Sequence, residues 1–166
     1  MKNNSIAKIL MSAAPTMIVG CLLASGAPAM AQSEDSGSHN GLQGAWRLQL
    51  TVRDCQTGAV LRTFPALGTF AKGGTLTLTT AGQPPSLSTP SMGIWRQTGH
   101  HTYSAVSEAF VFSPAGDWIQ THRLTRAIQI GDDTDDFTDT VALQIFDTNG
   151  NLIVTGCATT VATRFK

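Results

Sequence analysis

From residue 44 to the C-terminus, turn-forming residues cut the chain at such short and regular intervals that only strands fit between them. The intervening runs, 46–54, 60–70, 75–80, 94–97, 102–112, 118–130, 137–146 and 152–165, are rich in Val, Ile, Thr, Phe or Trp. Lys72-Gly73-Gly74, Pro114-Ala115-Gly116 and Asn149-Gly150 punctuate them as hairpins. Asn-Gly is the strongest of these signals, because a type I′ turn needs positive φ at both central residues. No segment sustains a 3.6-residue period, so little helix is expected. Eight hairpin-linked strands in one small domain predict an all-β fold, an eight-stranded antiparallel up-and-down barrel.

The N-terminus has a different character. Lys2 and Lys8 precede a largely apolar stretch from Ile9 to Leu23, and Ala29-Met30-Ala31 supplies the small residues of a signal peptidase site. Residues 1–31 are therefore expected to be a secretory signal, residues 32–41 a flexible polar tail and residues 42–166 the barrel domain. Ile18-Val19-Gly20-Cys21 offers a rival, a lipobox with a lipidated Cys21, but apolar residues follow Cys21 where a polar tether is usual. The apolar run is short and interrupted by Pro15, which argues against a stable membrane span. Cleavage after Ala31 would leave 135 residues, enough for one core, in the periplasm or outside the cell. That mature chain carries nine basic and eleven acidic residues with no basic stripe, which argues against nucleic acid as a partner.

Two cysteines remain, Cys55 and Cys157, and in an oxidising compartment such a pair is expected to form a disulfide. Trp46, Leu48, Leu50 and Val52 alternate with polar residues, so the even positions of the first strand point inward. If the two cysteines face each other on the first and last strands, Trp46 stands opposite Lys166 and Arg164 opposite Leu48. Arg164 then lies inward and diagonal to Trp46, close enough to cover its ring.

Gly44-Ala45-Trp46 near the start and Arg164 near the end resemble the structural signature of the calycins, the superfamily of lipocalins, fatty-acid-binding proteins and avidins. Gly93-Ile94-Trp95-Arg96-Gln97-Thr98-Gly99, followed by Thr102-Tyr103-Ser104-Ala105, is similar to secreted bacterial proteins of lipocalin-like type. The resemblance implies a barrel with an internal ligand cavity. It departs from typical lipocalins in lacking an evident C-terminal helix, and from avidins in lacking a biotin-contact pattern.

Candidate site residues follow from the alternation. On the sixth run Gln120, His122 and Arg126 share a face with Trp118, Leu124, Ile128 and Ile130, which directs three polar groups into the enclosure. Arg126 would suit a carboxylate, phenolate or phosphate, and His122 could move a proton near neutral pH. On the fifth run Tyr103 stands over Ala105, Ser107 and Ala109, small residues that would leave room for a ligand. Trp95 could stack on a ligand ring or serve as core, and Glu108 is more simply solvated. Asp139 is expected inward beside the sixth strand, as a structural partner of Arg126 or His122 or as half of an acid/base couple.

No metal or other cofactor is implied. The run Asp132-Asp133-Thr134-Asp135-Asp136 lacks the Gly and Glu of an EF-hand loop, and His100-His101 lacks a third ligand. The first expectation is a container binding a small apolar or aromatic ligand, in one form anionic, with Trp95, Tyr103, Ser107, Gln120, His122, Arg126 and Asp139 around it. The alternatives are a barrel enzyme of cyclase, isomerase or lyase type using Tyr103, His122 and Arg126, and a secreted inhibitor or protein-binding module.

Overall fold

The computed structural model describes residues 41–166. The signal-like segment 1–31 with Cys21, and the tail up to residue 40, lie outside the described residues. Eight strands follow in order: β1 (Gly44–Arg53), β2 (Val60–Phe70), β3 (Thr75–Thr80), β4 (Ser91–Gln97), β5 (Thr102–Phe112), β6 (Trp118–Ile130), β7 (Asp136–Phe146) and β8 (Leu152–Arg164). Each pairs antiparallel with its sequence neighbour, and β1 pairs with β8 to close the barrel. The one helical element among the described residues is a single 3₁₀ turn, Pro85–Leu87, in the connection from β3 to β4. Short hairpin connections force this meander, and closure removes both free edges.

The register differs from the one built on opposed cysteines. Trp46 pairs directly with Arg164 and Leu48 with Ala162, while Cys157 pairs with Arg53. Cys55 is not on β1 at all but in the turn that follows it, and the bond to Cys157 spans 5.3 Å between Cα atoms. The chain turns after Arg53, and the disulfide ties that turn back onto β8, two positions away from where a ladder pair would stand. β4 also begins at Ser91 rather than at Ile94, since Ser91, Met92 and Gly93 pair with Leu78, Thr77 and Leu76.

Inward positions follow the period of two, and their sizes differ along the barrel axis. Toward one end Trp46, Phe70, Phe137 and Tyr103 are buried, with Trp95 packed against them. Their rings meet edge-on or tilted in a continuous series: Trp46 to Phe137 at 4.8 Å, Phe137 to Phe70 at 6.0 Å, Phe70 to Trp95 at 6.2 Å and Trp95 to Tyr103 at 5.8 Å. This half is filled.

Its end is sealed by the residues that carry the calycin resemblance. The Arg164 guanidinium lies 4.2 Å from the centre of the Trp46 ring. It donates to the carbonyls of Gln43 (2.6 Å), Gly41 (2.8 Å) and Thr134 (2.6 and 3.0 Å), so residues 41–43 and the loop before β7 are both tied to β8 through one side chain. Trp46 Nε1 donates to the Leu42 carbonyl at 2.9 Å, which folds residues 41–43 under the barrel. Gly41, the last residue assigned to the tail, is thereby held in place. Gly44 has φ +133°, and a Cβ there would lie 2.6 Å from Arg164 Nη1, so the glycine admits both the backbone turn and the guanidinium.

Candidate functional site

The opposite half is hollow because its inward residues are shorter. Leu50 and Val52 of β1, Phe64 and Ala66 of β2, Leu124 of β6 and Val141 of β7 surround a cavity of about 330 Å³. Leu78, Ala109, Leu143 and Ala158 add to its apolar wall. Space for a dozen or so non-hydrogen atoms remains, taking about 30 Å³ for each as for a water molecule. The connection from β3 to β4 forms one lip of the mouth, where Gly82, Gln83, Ser88 and Thr89 line the opening. That lip is strapped to the end of β5: Thr89 N–H donates to the Phe110 carbonyl, and Phe110 N–H to Thr89 Oγ1, both at 3.0 Å.

At the floor stands Arg126, 3 % exposed. Its Nη1 donates to the Asp139 carboxylate and, at 3.2 Å, to Thr160 Oγ1. The Asp139 side chain has no exposed surface and Thr160 is 1 % exposed, so the group forms a buried polar triad across β6, β7 and β8. Isolated burial of either charge would be prohibitive, and their mutual neutralisation is what lets both remain there. The triad is incompletely satisfied: Arg126 Nε and Asp139 Oδ1 have no hydrogen-bond partner among the described residues, nor do Ser91 Oγ and Ser107 Oγ.

His122 lines the cavity four residues before Arg126 on the same face, about 13 Å away at the strand rise. Its Nε2 lies 3.2 Å from Gln120 Oε1, an acceptor, which favours the tautomer protonated at Nε2. Burial pushes the His122 pKa below its ordinary 6.5, since the protein interior disfavours the imidazolium.

The remaining sequence candidates are distributed elsewhere. Tyr103 and Trp95 pack in the filled half, where Trp95 Nε1 donates to the carbonyls of Ala71 and Thr75 at 3.1 and 3.0 Å. Ser107 is buried but does not line the cavity, and Gln120 reaches the site through His122. Tyr103, His122 and Arg126 therefore do not converge on one point: only His122 and Arg126 line the cavity. Glu108 faces outward and pairs with Arg123 at 2.6 Å. Sequence reasoning missed Thr160, although Ala158, Thr160, Ala162 and Arg164 alternate inward on β8 and carried the signal. It also missed Ser91 and the lip, because a connection folded over a mouth leaves no periodic trace.

Among the described residues no group of three or more His, Cys, Asp or Glu side chains is arranged to hold a metal ion. None of their helices is long and apolar enough to cross a membrane. The closed eight-stranded meander is compatible with a calycin barrel. No protein-family model matches the chain, and no curated protein matches it.

Proposed function

We propose that this chain is a secreted or periplasmic lipocalin-like barrel that encloses a small, mostly apolar molecule. One observation carries the reading: a cavity of about 330 Å³, walled by aliphatic residues and Phe64, in a barrel whose other half is packed solid. Such a size and lining match those of small-molecule sites generally. The separation of Tyr103 from His122 and Arg126 weighs against the enzyme alternative, which asked all three to act on one substrate. The Cys55–Cys157 bond suits an oxidising compartment. Native mass spectrometry of the protein purified from its own compartment is expected to find a retained molecule of about a dozen non-hydrogen atoms. A barrel that arrives empty and takes up no apolar compound on titration would overturn the proposal.

A further inference from the structure

The floor of the cavity says more about the ligand than the walls do. Arg126 invites an anion by its residue type, but its charge is already answered by Asp139 in a pair shielded from water. A carboxylate brought beside that pair would be a third buried charge with no countercharge of its own, a costly arrangement in a low-dielectric site. Two other lining groups can carry charge. Arg62 belongs to an exposed stretch of β2 at the mouth and lies 5.1 Å from the Phe64 ring, while burial favours the neutral form of His122. What the floor offers is therefore of another kind. Arg126 Nε, Asp139 Oδ1 and Ser91 Oγ are unpaired but sealed from the cavity surface, and of the Arg126–Asp139 pair only Arg126, whose guanidinium carries N–H donors and no acceptor, lines the cavity.

Granted the container reading, on which this rests, we infer that the ligand is an electrically neutral molecule with an apolar body and a hydrogen-bond acceptor, such as an ester, ketone or amide carbonyl, that meets the Arg126 guanidinium at the floor. The carbonyl accepts from the guanidinium while leaving the Arg126–Asp139 charge balance intact.

Titration calorimetry with three probes of similar bulk tests the two readings separately: butylbenzene, the phenylbutyrate anion and methyl phenylbutyrate, at neutral pH. The methyl ester is expected to bind about tenfold or more tightly than both others, the scale of a hydrogen bond to a charged donor. Uptake of butylbenzene with phenylbutyrate preferred over its ester would overturn the neutral-head inference and leave the container standing. Equal affinity for ester and hydrocarbon would do the same. Failure of all three to bind would overturn both. Removing Arg126 alone strands a buried carboxylate, so the companion variant replaces the pair together, Arg126→Met with Asp139→Leu. In the folded double variant, checked by circular dichroism, the ratio of ester to hydrocarbon affinity is expected to fall to near one. A ratio that survives there would remove Arg126 from the site.

Discussion

The two halves of this barrel are made from the same eight alternating strands, yet one is solid and the other hollow. The solid half sets Trp46, Phe70, Trp95, Tyr103 and Phe137 on its inward positions, and the hollow half sets Ala66, Ala109, Val141 and Ala158 on equivalent ones. Side-chain volume at inward positions, not strand geometry, decides where a small barrel has room. The halves are also closed differently. The solid end is held by Arg164, whose guanidinium collects backbone carbonyls from two segments, residues 41–43 and the loop at Thr134, whereas the open end is held by the Cys55–Cys157 bond and by the lip hydrogen-bonded to β5.

The largest test of that division is removal of the covalent tie. Cys55 and Cys157 are 102 residues apart, and a loop of that length corresponds to about 4 to 5 kcal/mol under the chain-entropy model. Urea denaturation of the doubly Ser-substituted protein is expected to show a loss on that scale. Hydrogen exchange should rise most around the β1–β2 turn and the start of β8. Two free thiols in a non-reducing peptide map of the native protein would defeat this prediction at its premise.

Truncation compares the halves directly. Trp46→Ala, in the solid end, is expected to cost about 3 to 5 kcal/mol because packed neighbours cannot collapse into the space. Leu124→Ala, on a wall that already borders open volume, should cost less than about 2 kcal/mol. Equal losses in chemical denaturation would mean that the cavity is closed in solution and the contrast false.

Gly44→Ala probes the seal itself. The new methyl must share space with the Arg164 guanidinium at a backbone angle that suits glycine, and a penalty of about 1 to 3 kcal/mol is expected. Apolar probe binding by the folded fraction should persist, since the change lies at the far end from the mouth. Lost binding with stability retained would show that the two ends communicate.

The smallest expected effect belongs to His122. Its pKa is lowered in the folded protein, so the unfolded chain takes up the proton first as pH falls. His122's contribution is intact above 6.5, and stability declines from there down to the lower folded value. Apolar ligands should weaken at lower pH still, around and below that folded value, where an imidazolium begins to line the cavity. His122→Phe should flatten both profiles, measured by denaturation and titration at a series of pH values. A variant with unchanged slopes would shift the cause to another group.

The strands, their order and their faces were legible because alternation is a local property: Trp46, Leu48, Leu50 and Val52 announce an inward face from within one segment. The same logic placed His122 and Arg126 inward on β6, where both line the cavity. Register was less accessible. Opposed cysteines set Trp46 against Lys166, but Cys55 sits in a turn and Trp46 pairs with Arg164, a difference that depends on where β1 ends.

What the sequence determined by itself is thus a period of two repeated eight times, with turns between, and this suffices to define a barrel and its inner surface. Only the tertiary structure decided that Tyr103 and Trp95 belong to the solid half and Ala109 to the hollow one. It likewise decided that Arg126 spends its charge on Asp139 and Thr160, residues 13 and 34 positions away on the next strand and the one beyond it. Alternation fixes which way a side chain points at no reference to any other segment. Filling, closure and charge pairing depend on what stands opposite, and that is set only when the first strand meets the last.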